Sequence, residues 1–99
     1  EAPDINSSER TIVMEATAYT ADDPGNSGIT AGGHYLTRGL VSVDPSVIPL
    51  GTRLYIEGYG EAIADDTGGA IVGNRIDLGM DSRDEALNFG RQDVVVHIL

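Results

Sequence analysis

The chain contains no cysteine, and only six basic residues stand against sixteen acidic ones. Without cysteine there is neither a disulfide framework nor a thiolate metal site. The net charge of −10 argues against nucleic acid, whose phosphates are held by clustered Lys and Arg. The same charge argues against an anionic membrane surface. No apolar run approaches transmembrane length, so membrane insertion is not expected, and no signal peptide opens the chain. The first residue is Glu1 rather than Met, which fits a mature or trimmed chain whose export signal lies outside it. The two histidines, His34 and His97, stand far apart and lack the spacing of zinc ligands. Residues 77–88 are acidic but miss the central Gly and final Glu of an EF-hand. No metal and no cofactor are therefore expected.

The 99 residues make one domain, long enough for a single core. Residues 1–10 are polar and read as a flexible tail or linker end, leaving 11–99 as the folded domain. Residues 11–20 are rich in β-branched side chains and predict a strand. Short strands are predicted at 39–43, 52–57, 61–65, 75–78 and 93–99, separated by Pro and Gly turns. One helix is predicted over 83–89. Ser82 and Glu85 form a capping box, and Gly90 sits where a terminating glycine belongs. Many short strands with one short helix predict an all-β fold, a small barrel. Its core is expected to draw on Ile12, Val13, Val43, Leu54, Ile56, Ile76, Leu78, Val94 and Val96. His97 is expected on the solvated side of the last strand.

The chemistry concentrates in residues 64–78. Asp77 lies between Ile76 and Leu78; in an alternating strand those two face the core and Asp77 faces away from it. Asp44, Asp66 and Asp77 recur close to apolar strand residues, after Val43, after Ala64-Asp65 and after Ile76, and lie 22 and 11 positions apart. Carboxylates gathered on one face repel, so one of them holds its proton to higher pH and can donate it to a leaving oxygen. A local reading stands beside this one. Asp44 before Pro45 is a common turn residue, and Asp66 before Thr67-Gly68 can bond its own turn. Gly68-Gly69 and Gly73 suit turns that need positive φ or close approach. Asp66-Thr67-Gly68 also matches the triplet of aspartic proteases. There, however, the triplet follows apolar residues and lies early in the chain, whereas Asp65 precedes it here, two-thirds of the way along.

Taken together, several segments resemble the three-aspartate, or 3D, domain family of Gram-positive cell-wall proteins of the stationary-phase-survival type. The same barrel occurs in membrane-bound lytic transglycosylase A. The segments include Ala16-Thr17-Ala18-Tyr19-Thr20, Thr30-Ala31-Gly32, Val43-Asp44-Pro45, Asp66-Thr67-Gly68-Gly69-Ala70-Ile71 and Gly73-Asn74-Arg75-Ile76-Asp77. The resemblance implies a six-stranded double-psi β-barrel with Asp44, Asp66 and Asp77 gathered in one groove. It implies a secreted or wall-associated lytic transglycosylase that cleaves the bond between N-acetylmuramic acid and N-acetylglucosamine in peptidoglycan. Asp77 then matches the catalytic acid. Tyr19 would be a sugar-stacking platform, with Thr17, Thr30, Thr67, Gly68 and Gly69 as further substrate contacts. A non-catalytic glycan-binding module of the expansin-like type is the competing reading. The chain is expected as a monomer or as a homodimer that exchanges terminal strands.

Overall fold

The computed structural model describes residues 10–23 and 27–99. The expected tail up to residue 9 lies outside the described residues. Arg10, grouped with that tail by composition, instead opens β1 (Arg10–Tyr19) and donates to the Val47 carbonyl at 3.1 Å. β2 (Leu40–Ser42), β3 (Arg53–Ile56), β4 (Gly60–Asp66) and β5 (Arg75–Gly79) follow, then α1 (Arg83–Phe89) and β6 (Gln92–Ile98). The strands close into a barrel in the order β1-β5-β2-β4-β3-β6. Two neighbouring pairs are parallel, β1 with β5 and β2 with β4. The other four contacts are antiparallel. This is the expected six-stranded double-psi β-barrel with one short helix.

The helix forms where its caps are. Ser82 Oγ accepts the Glu85 amide at 3.2 Å, and Gly90, at φ 66°, donates its amide to the Ala86 carbonyl. None of its residues is buried; Ala86 and Phe89 rest on the edge of the core.

The core fills the barrel with one side chain in two from each strand, the alternation that pleated strands impose. Met14, Ala16, Val41, Leu54, Ile56, Ile76, Leu78 and Val96 are all sealed there. Each buried Leu or Ile contributes about 1.5–3 kcal/mol relative to exposure. Val43 and Val94 are buried as expected, and Ile12 packs against the cluster half-buried. Val13 does not join them: it is 60% exposed. Ile12, Val13 and Met14 are all apolar, so alternation alone leaves the face undecided. Pairing with β5 and β6 turns Met14 and Ala16 inward and Val13 outward.

His97 is a second correction. It is buried, with Nε2 2.7 Å from Glu57 Oε2. Its strand lies between β1 and β3, so Thr11 and Tyr55 pair with it on either side and cover it.

Candidate active site

Four neighbouring strands carry the site in one row. In register, Thr17 of β1 stands beside Asp77 of β5, Asp77 beside Ser42 of β2, and Ser42 beside Asp66 of β4. Ser42 thus sits between the two aspartates. The β2–β4 register explains how Asp66 reaches the row. Val41 pairs with Ala64, but Ser42 pairs with Asp66, so Asp65 is an extra residue at an irregularity of the ladder. Such a bulge re-aims the side chains that follow it. The row opens into a groove of about 390 Å³ lined by Tyr19, Asp23, Ser27, Ile29, Ser42, Asp66, Thr67, Gly68, Ile71 and Asp77.

Asp77 is half-buried between the inward-facing Ile76 and Leu78. Thr17 Oγ1 donates to its Oδ1 at 2.9 Å. Oδ2 has no hydrogen-bond partner among the described residues. The carboxyl pKa is raised above its ordinary value, first of all by burial. The Thr17 hydrogen bond works against that shift, as does Arg75. The charges of Asp23 and then Asp66 add to it. Like-charge repulsion, from Asp23 and Asp66, is therefore secondary to burial.

Asp66 is held from three directions. Oδ1 accepts the Ala31 and Thr67 amides, both at 2.9 Å, and Oδ2 accepts the Tyr19 hydroxyl at 3.1 Å. Tyr19 in turn accepts Ser42 Oγ at 2.8 Å. Burial pushes the Tyr19 phenol pKa far up, so it stays a hydrogen-bond donor. Its ring is buried, which corrects the expectation of a stacking platform: Tyr19 offers the groove a hydroxyl, not an aromatic face.

Asp44 stands apart. Its Oδ1 accepts the Ser46 amide and hydroxyl at 2.9 and 2.7 Å, and its Oδ2 accepts the Gly73 amide at 2.8 Å. These bonds, led by Gly73, hold its pKa below the ordinary carboxylate value. Asp44 does not line the groove. It shapes its own turn and anchors the loop between β4 and β5, whose Thr67, Gly68 and Ile71 form one wall. The three aspartates are thus not gathered in one groove: two are, and the third braces it.

The remaining expected contacts divide in the same way. Thr67 and Gly68 line the groove; Gly69 does not. Gly73 has the positive φ, 71°, expected of a turn glycine, whereas Gly68 is needed for closeness, since a Cβ there would sit 3.2 Å from Ile71. Thr17 holds Asp77 from the side. Thr30 is buried and gives its hydroxyl to Asp65, so it is not a sugar contact. Sequence reasoning missed Ser42, which shows no motif, and Asp23, which looked like one more loop acid. A larger cleft, about 940 Å³, lies beyond the loop that carries Thr30 and His34; it is lined by His34, Arg53 and Asp65 among others, and holds none of the three aspartates.

A closed double-psi barrel with a half-buried Asp beside a second Asp held by three hydrogen bonds defines a class: a barrel domain with an acid groove. Within that class the family is set by sequence. The family model described as 3D domain matches residues 40–99, and the chain belongs to this family. The cell wall-binding protein YocH of Bacillus subtilis (strain 168) is 51% identical over 92 residues, covering 89% of this chain and 32% of YocH. The chain thus spans about a third of that relative's length. The crystal structure of MltA from Escherichia coli, described as a lytic transglycosylase fold, aligns with TM-score 0.60 and 25% identity over 71% of this chain and 26% of that one. MltA with bound chitohexaose aligns with TM-score 0.59 and 24% identity over 71% of this chain and 27% of that one.

Proposed function

We propose that this domain is a peptidoglycan-cleaving lytic transglycosylase with Asp77 as its general acid and base. The observation that carries the reading is the state of Asp77: half-buried, lining an open groove, with its pKa raised and Oδ2 unpartnered among the described residues. A proton on Oδ2 is given to the glycosidic oxygen as the bond to the muramyl C1 breaks. The muramyl C6 hydroxyl then attacks C1, and the ionised Asp77 takes the C6 proton. The product is a 1,6-anhydro sugar, and no water is consumed. Because the nucleophile belongs to the substrate, proximity replaces the second carboxylate that ordinary glycosidases require. Asp66, fixed as an acceptor by Ala31, Thr67 and Tyr19, binds a sugar hydroxyl beside Asp77. The cell-wall association in the name of YocH and the chitohexaose bound to MltA support a wall glycan as substrate. Such a domain works outside the cytoplasm, in or on the wall.

A second reading, a glycan-binding module without catalysis, is favoured by that same relative's name, which speaks of binding alone. Mass analysis of purified peptidoglycan after incubation separates the two. Anhydro-muropeptides released by the parent and lost in Asp77→Asn support the lyase. Intact glycan retained by both proteins supports the module.

A further inference from the structure

The loop between β1 and β2 contains a small hairpin, closed by the bridge between Ile29 and Tyr35. It forms a partition. Ser27 and Ile29 line the acid groove, whereas His34 and Tyr35 line the larger cleft. What docks this hairpin onto the barrel is Asp65, the extra residue at the β4 irregularity. Its carboxylate is buried, and a single oxygen, Oδ2, takes both the Thr30 hydroxyl and His34 Nδ1, the latter at 2.8 Å. Its carbonyl takes the Gly32 amide at 2.8 Å. Gly32 lies so close that a Cβ there would stand 2.2 Å from Asp65 Oδ1. Between Thr30 and Gly32 is Ala31, whose amide reaches Asp66.

We propose that Asp65 is a positioning residue: by clamping the hairpin through Thr30 and His34 it delivers the Ala31 amide to Asp66 and fixes the Asp66 carboxylate in the groove. The bulge gives two adjacent carboxylates opposite duties, one buried behind the hairpin and one presented in front of it. Asp65 does not line the groove and acts only through Ala31. The functional consequence rests on the lytic-transglycosylase reading; the clamp itself does not.

The clamp needs one acceptor oxygen, not a charge. Asp65→Asn can place its amide oxygen where Oδ2 stands and keep both bonds, so it retains the clamp. Asp65→Ala releases it. Gly32→Ala attacks the contact from the other side, with Asp65 present, and covers the case in which Asp65→Ala fails to fold. Once Asp65 is Ala, the clash with its carboxylate is gone and only the residue-65 carbonyl, 3.1 Å away, crowds the added methyl, so the two changes are less than additive.

The test is NMR of the Ala31 amide with activity measured in parallel. In the parent and in Asp65→Asn, the Ala31 proton shift follows protonation of Asp66. In Asp65→Ala and in Gly32→Ala that dependence is lost while the amides of β6 keep their shifts. Cleavage efficiency falls about tenfold in those two variants, the scale of a lost hydrogen bond to a charged group, and stays at the parent level in Asp65→Asn. An Ala31 amide that tracks Asp66 unchanged in Asp65→Ala overturns the clamp. Equal loss in Asp65→Asn and Asp65→Ala overturns it too, by pointing to charge. If no variant, parent included, cleaves glycan, the lyase reading fails while the amide measurement still decides the clamp.

Discussion

Asp77 is set between two core residues, so its replacement removes a proton without removing packing. Asp77→Asn is expected to fold as the parent does and to lose about 10²–10⁴-fold in release of anhydro-muropeptides, the usual value of general acid catalysis. The pH dependence has a definite sign. The proposed reaction needs the protonated acid, so activity is expected to fall as pH rises through the raised Asp77 pKa. The Asp23 charge contributes to that rise, so Asp23→Asn moves the alkaline limb of the pH–rate profile down. The Thr17 hydrogen bond opposes it, so Thr17→Val moves the same limb up. A limb that stays put in both variants removes Asp77 as the titrating group. Asp44→Ala, by contrast, leaves that limb in place and lowers the melting temperature. The depressed Asp44 pKa makes its contribution to stability present above the ordinary carboxylate pKa and lost as pH falls through the folded value. Thermal melts of Asp44→Ala and parent are therefore expected to converge in acid. Asp77 was legible in the sequence because a charge between two aliphatics in a strand is a local pattern. The separation of Asp44 from the groove was not, since its partner Gly73 lies 29 positions away.

Elements were legible in proportion to how local their causes are. The helix over 83–89 matches the sequence expectation residue for residue because its caps lie within eight positions of each other. Strand positions came from composition and fall within a residue or two. The face of β1 did not, because three consecutive apolar residues give alternation no phase. The bulge at Asp65 left no trace in the sequence either: two adjacent aspartates look alike until Ser42 skips one of them. The corrected face makes a sharp contrast. Met14→Ala, deep in the core, is expected to cost about 2–5 kcal/mol in chemical denaturation. Val13→Ala, one residue away and pointing outward, is expected to stay within about 0.5 kcal/mol.

At the scale of the molecule the charge is unbalanced where the ligand would sit. Among the described residues the groove is lined by Asp23, Asp66 and Asp77 and by no Arg, in a chain whose net charge is −10. A glycan carrying carboxylates on its peptide stems is repelled on approach, and salt screens that repulsion over about 10 Å at 0.1 M. Binding of peptide-bearing glycan to Asp77→Asn is accordingly expected to strengthen as salt rises from low concentration. Binding of a neutral chito-oligosaccharide should change little. Calorimetric titration of both ligands at two salt concentrations checks the difference.

The seam of the barrel has a mechanical consequence. β1 and β6 run antiparallel, and Arg10 faces Ile98, so the chain enters and leaves the barrel side by side. A force applied to both ends of the domain therefore opens this ladder like a zipper, loading one pair of hydrogen bonds at a time instead of shearing the whole row. Pulled from its two ends in a single-molecule experiment, the domain should yield at low force, starting from the Arg10–Ile98 pair and reaching Thr17 and Asp77 last.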